Sequence, residues 1–216
     1  MRAVLFDLDG VLVDSYAAHM RSWRRLAAEE GLPFVEHEFA RSFGRTSRES
    51  IAVYWPGRAS ETARLDERKE ALFRDEIRER FPAMDGGVEL VRALHAAGFS
   101  LALASSAPPE NVALALERLG LADCFGAVVN GRDVQRGKPD PQVFLLAAER
   151  LGAPAANCMV VEDAPVGVAA AHAGGMKAVA LLSTGRRHED FDAVKPELVA
   201  AALRELSPAT FDRFLG

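Results

Sequence analysis

The chain of 216 residues holds only two cysteines, Cys124 and Cys158, and their spacing matches no metal-binding or redox pattern. Both are read as small buried residues of a reducing compartment. A basic excess is also missing: 26 Lys and Arg against 31 Asp and Glu leave a net charge of -5, which argues against a nucleic-acid partner. No apolar run approaches the length needed to cross a bilayer, and the first strand pattern begins at residue 3, which leaves no room for a signal peptide. A cytoplasmic location and no membrane partner are therefore expected. Repeats and low-complexity linkers are absent too. What is present is the balance of a globular protein, 49% hydrophobic and 26% charged, long enough for one large domain or a domain with an insertion. A monomer is the default expectation.

The most informative stretch lies at the front, Val4-Leu5-Phe6-Asp7-Leu8-Asp9-Gly10. An apolar run reads as a buried strand, and Gly10 lets the chain turn where the strand stops. Asp7 and Asp9 can converge at the strand end, which in an open parallel sheet is where ligands bind. Two carboxylates there are costly to bury unless a cation or a proton offsets them.

Beyond this point the pattern turns helical. Helices are expected at 16–30, 36–43, 47–54 (with Ser47 as N-cap) and 60–80, with no strand between them. After the turn Met84-Asp85-Gly86-Gly87, strands at 100–104, 127–129, 159–161 and 178–181 alternate with helices at 88–97, 110–119, 141–151 and 166–173, and a last helix is expected at 196–206. Short apolar strands separated by helices predict an α/β fold, a Rossmann-like doubly wound parallel sheet. The core would comprise residues 1–14 and 86–216, and the inserted all-helical domain residues 15–85.

Three of these strands end in polar residues: Asp7 and Asp9, then Ser105 with Ser106, then Glu162-Asp163. The loop Gly137-Lys138-Pro139-Asp140-Pro141 adds a lysine. A carboxylate can act as a nucleophile and split one difficult hydrolysis into two easier steps. A phosphate approaching Asp7, Asp9, Glu162 and Asp163 would be repelled unless cations were present. Mg²⁺ suits such an all-oxygen set, and Lys138 supplies a further positive charge. Taken singly, Ser105 reads as a cap or turn residue and Lys138 as a surface charge; the ordered set gives them meaning.

In order and type the four segments resemble the motifs of the haloacid dehalogenase (HAD) superfamily, subfamily I with a helical cap. The resemblance implies a Mg²⁺-dependent phosphatase that works through an aspartyl-phosphate. It makes Asp7 the nucleophile and a metal ligand, and Asp9 the general acid/base whose backbone carbonyl meets the metal. It also makes Asp163 a direct metal ligand, with Glu162 nearby as a further ligand or as a carboxylate just outside the ligand set, and Ser105 and Lys138 the phosphate-holding pair. Asp9 argues against the dehalogenases of the superfamily, which have no need for a carboxylate there or for a Mg²⁺ cluster, and against its phosphonatases, which lack that second acid.

The helical insertion resembles the cap of β-phosphoglucomutases at His19, Trp23, Ser47-Arg48-Glu49 and Lys69. Arg48, Lys69, Arg45 and His19 are accordingly candidates for substrate binding, along with Ser105 and Ser106, and Arg68 is a neighbour of Lys69. Without the resemblance, His19 and Trp23 read as packing residues, and Arg68 and Lys69 as a solvated helix face. After Ser105 the chain reads Ser106-Ala107-Pro108-Pro109-Glu110-Asn111, which resembles phosphatases acting on sugar phosphates more than mutases. The expected function is hydrolysis of a small phosphorylated metabolite of sugar phosphate or phosphoglycolate type. A phosphosugar mutase is the alternative, and a non-catalytic metabolite-binding module a more remote one.

Overall fold

The computed structural model describes residues 1–216. The chain divides into two compact units, Met1–Asp14 with Ala83–Gly216, and Ser15–Pro82. No helix is long and apolar enough to cross a membrane.

The first unit is built on six parallel strands: β1 (Ala3–Phe6), β2 (Ser100–Ala104), β3 (Ala127–Val129), β4 (Cys158–Glu162), β5 (Lys177–Leu181) and β6 (Leu198–Ala200), in the order β3-β2-β1-β4-β5-β6. β1 is buried along its whole length, which explains its unbroken apolar sequence: both faces of the strand are covered. The chain winds outward from β1 in one direction through β2 and β3, and in the other through β4 to β6. The order thus reverses between β1 and β4, where open α/β sheets bind their ligands.

The unit's helices fall into place around this sheet. In chain order, four helices belong to the second unit, α1 (Tyr16–Glu30), α2 (Glu36–Ser42), α3 (Ser47–Tyr54) and α4 (Thr62–Arg78), and five to the first, α5 (Gly87–Ala96), α6 (Pro109–Leu119), α7 (Gln142–Leu151), α8 (Pro165–Ala173) and α9 (Pro208–Leu215). Val143, Phe144, Ala147 and Ala148 of α7 and Val168, Ala170 and Ala171 of α8 join Ala3, Leu5, Ala102 and Val160 in one core layer. Alanine dominates the helix–sheet contact, so helices can approach the strands closely.

One expected element is corrected. Residues 196–206 form no helix: Leu198–Ala200 is the edge strand β6, followed by a 3-10 turn at Leu203–Glu205, and the last helix is α9. The run Val199-Ala200-Ala201-Ala202-Leu203 carries helical propensity, but Leu198, Val199 and Ala200 pair with Val179, Ala180 and Leu181. The Glu197 carboxylate also accepts the Ala178 amide at 2.7 Å. Tertiary pairing overrides propensity here.

The second unit is helical throughout. Its core gathers Trp23, Leu26, Phe39, Phe43, Ile51, Trp55, Leu65 and Leu72, and the Trp55 indole N–H donates to the Pro33 carbonyl at 2.8 Å. Thr46, not Ser47, caps α3: its hydroxyl accepts the Glu49 amide, and the Glu49 carboxylate accepts the Thr46 amide at 3.0 Å. The reciprocal pair needs the acid three residues on, which places the cap one residue earlier than expected. Pro56–Glu61 is a 3-10 segment, so α4 begins at Thr62.

Candidate active site

β1 ends at Phe6, level with Leu103 of β2 and Val161 of β4. The next residue, Asp7, still donates its amide to the Val161 carbonyl at 3.0 Å. The three central strands therefore deliver Asp7, Ser105 and Glu162-Asp163 to one edge of the sheet. Asp7, Glu162 and Asp163 are buried, and their ligand atoms lie within 4.8 Å of one another.

Lys138 enters this cluster from the loop before α7, whose Lys138–Pro139 peptide is cis. Its Nζ lies 2.5 Å from Glu162 Oε1 and 3.0 Å from Asp7 Oδ1. The loop is braced by Gln142, whose side-chain oxygen accepts the amides of Gln135 and Arg136 at 2.9 and 3.0 Å. Burial works against the Lys138 ammonium, yet Asp7 and Glu162 outweigh it and hold its pKa above the ordinary value. Burial likewise dominates at Asp7 and, opposed by Lys138, pushes its pKa up to about 7. Burial, then the charges of Glu162 and Asp7, raise that of Asp163 well above the usual carboxylate range.

One ammonium against three buried carboxylates leaves an excess of negative charge. Asp163 Oδ1 is buried and accepts no hydrogen bond. A buried acceptor left open beside two further carboxylates is what a hard divalent cation with oxygen ligands would satisfy. The residues fit Mg²⁺. Asp9 is half-buried on the turn after β1, bridged to Val13, and its side chain is not part of the three-carboxylate group.

Ser105 is buried directly after β2, and its hydroxyl accepts the Ala107 amide at 3.0 Å. Ser106 is half-buried beside it, and α6 follows from Pro109.

In the second unit His19 and Lys69 come together, whereas Arg45 and Arg48 are exposed. Lys69 is 2% exposed, with Nζ 2.8 Å from Glu70 Oε1 and 2.6 Å from His19 Nδ1. The His19 ring stacks on Phe73, centroids 3.8 Å apart. Trp23 packs against Tyr54 and Trp55. Arg45 is exposed, Arg48 is exposed and pairs with Asp66 at 2.8 Å, and Arg68 pairs with Glu29 of the neighbouring helix α1. The surface pairs of α4 thus run largely between helices, Arg64 to Glu30 and Arg21 to Glu76 among them.

The haloacid dehalogenase-like hydrolase family model matches residues 1–175. The chain belongs to the haloacid dehalogenase-like hydrolases. It is 32% identical to the phosphorylated carbohydrates phosphatase of Thermotoga maritima, over 95% of this chain and 100% of that protein. It is 34% identical to the β-phosphoglucomutase of Bacillus subtilis, over 83% of this chain and 82% of that protein. A hydrolase from Pseudomonas syringae has the same fold, with a TM-score of 0.89, 25% identity and 100% of both chains covered. Within this HAD family the protein is an enzyme of the phosphatase type.

Several residues that shape the site carry no motif of their own. A Cβ at Gly10, where φ is +77°, would overlap the Asp163 carboxylate, and one at Gly167 would overlap Glu162. Thr184, beyond β5, donates its hydroxyl to Asp163 Oδ2 at 2.8 Å. The sequence offered one signal for it: Ser183-Thr184-Gly185 follows an apolar strand, as Ser105 and Glu162-Asp163 follow theirs.

Proposed function

We propose that this HAD-type phosphatase hydrolyses a small phosphorylated metabolite, of sugar phosphate or phosphoglycolate type, through an aspartyl-phosphate on Asp7. The observation that carries the reading is the buried triad Asp7, Glu162 and Asp163 with Lys138 between two of its members. Lys138 favours the ionised form of Asp7, the form able to attack phosphorus. As the new bond from the Asp7 carboxylate forms, the bond to the ester oxygen breaks, and Asp9 gives that oxygen a proton. Asp9 then takes a proton from water, which attacks the aspartyl-phosphate and frees inorganic phosphate and Asp7. Ser105 and Ser106 hold phosphate oxygens, and Lys138 offsets their charge.

Asp7, Glu162 and Asp163, with the Asp9 carbonyl, would hold Mg²⁺. When bound, the ion neutralises charge developing on the phosphoryl oxygens. The relatives' names favour a sugar phosphate: one is a carbohydrate-phosphate phosphatase and another a phosphosugar mutase. Within the second unit Arg45 and Arg48 are exposed, Arg48 paired with Asp66, whereas buried Lys69 is engaged by His19 and Glu70.

The test is product analysis of β-glucose 1-phosphate with Mg²⁺ and a trace of the 1,6-bisphosphate, beside a panel of other small phosphate esters. Inorganic phosphate from any of them, abolished by Asp7→Asn in a folded protein, is the expected result. Glucose 6-phosphate as the main product would make the protein a mutase. No product from any ester would overturn catalysis of this kind.

A further inference from the structure

The loop after β5 contains a residue whose backbone and side chain both call for an explanation. Thr184 has φ of +57°, a left-handed conformation that is an outlier for a β-branched residue. Such conformations persist where surrounding interactions over-determine them, and they cluster at functional sites. Here the interaction is identifiable: the Thr184 hydroxyl donates to Asp163 Oδ2 at 2.8 Å. Its neighbour Ser183 donates its own hydroxyl to the Gly10 carbonyl. Two successive side chains of one loop thus grip the two segments that bring Asp163 and Asp7 together.

The consequences for Asp163 are specific. Its carboxylate is completely buried, it lies against Gly10 where no side chain could stand, and its two oxygens are not equivalent. Oδ2 is engaged by Thr184, and Oδ1 is buried with no hydrogen bond. A carboxylate with one oxygen fixed cannot rotate freely, so its open oxygen keeps one direction.

We propose that Thr184 is a positioning residue: its hydroxyl fixes Asp163 so that Oδ1 alone is presented to a divalent cation shared with Asp7 and Glu162. This rests on the metal-dependent reading given above. Thr184 touches neither the ion nor the substrate. Ser183 acts in the same sense on the turn that follows Asp7, by holding the Gly10 carbonyl. Partners that orient a ligating carboxylate are worth about 10- to 100-fold in metal affinity.

The test is Mg²⁺ titration of the full chain by calorimetry, with no substrate present, for wild type, Thr184→Val, Thr184→Ala and Thr184→Ser, each checked for folding by far-UV circular dichroism. Thr184→Val keeps the shape and branching and removes only the hydroxyl; Thr184→Ala covers the case in which it does not fold. We expect the variants without a hydroxyl to bind Mg²⁺ about 10-fold more weakly, Thr184→Ser to stay near wild type, and saturating Mg²⁺ to restore most of the turnover without a change in substrate KM. Equal Mg²⁺ affinity with and without the hydroxyl, or equal weakening in Thr184→Ser, would overturn the positioning role alone. A wild-type protein that hydrolyses esters yet takes up no Mg²⁺ would overturn the metal reading and this inference together.

Discussion

Lys138 Nζ lies 3.0 Å from Asp7 Oδ1, and the side chains are only 1% and 6% exposed. An ammonium so placed does two things at once: it keeps the carboxylate able to ionise, and it offsets charge that would otherwise be buried alone. Removing it should therefore show in both stability and turnover. Lys138→Met is expected to abolish phosphate release at neutral pH and to lower the unfolding free energy by about 3–5 kcal/mol. Urea denaturation beside an assay for phosphate would check both, and a variant as stable and as active as wild type would refute them.

Glu70 provides a pH dependence. Burial opposes its ionisation, but Lys69 and then His19 outweigh it, so its pKa lies below the ordinary value of 4.5. A carboxylate depressed in the folded state contributes stability above its unfolded pKa and loses it as the pH falls through the folded value. Glu70→Gln, which leaves the Lys69 ammonium buried without a counter-charge, should cost about 3 kcal/mol near neutrality. The gap between wild type and variant should narrow as the pH drops below about 4.5. Urea midpoints across that range decide it; a gap that does not change with pH would mean that Glu70 is not ionised in the folded protein.

Arg68 and Lys69 are adjacent in sequence and opposite in environment. Arg68 forms an exposed pair with Glu29, and solvent screens such pairs so that they contribute little to stability. Lys69 is buried against Glu70 and His19. Arg68→Met should leave the melting temperature nearly unchanged, and Lys69→Met should cost about 3 kcal/mol or more. Thermal melts at matched ionic strength would show the contrast, and equal effects would mean that Lys69 does not sit as described.

Gly10 tests the spacing of the acids. An Ala at this position must both adopt φ of +77° and place its Cβ in the Asp163 carboxylate. Gly10→Ala is expected to reduce turnover about 10- to 100-fold by displacing that carboxylate, as loss of an orienting partner does. Steady-state kinetics over a range of Mg²⁺ concentrations would reveal it; a fully active variant would show that Asp163 can move without consequence.

Much of this architecture can be read from local pattern. The apolar run ending in Asp7-Leu8-Asp9-Gly10 predicts a buried strand with acids at its end, and β1 is such a strand. The alternation of short apolar runs with helical stretches predicts the parallel sheet. These readings succeed because strand burial and helix ends leave periodicities and stop signals within a few residues of each other. The final segment misled for the same reason: an alanine-rich run carries a helical signal, and only the edge of β5, about twenty residues away in the chain, makes Leu198–Ala200 a strand.

The sequence by itself determined which chemical groups the protein carries and the strand ends on which they stand, because backbone hydrogen bonding and apolar patterning are local. Tertiary structure alone decided which oxygen of Asp163 is held and which is open, that Lys69 is buried while Arg68 faces water, and that Thr184 reaches the acidic cluster. Those outcomes depend on which distant segments pack together and on how burial and neighbouring charge act at the point of contact, and neither has a signature in the spacing of residues along the chain.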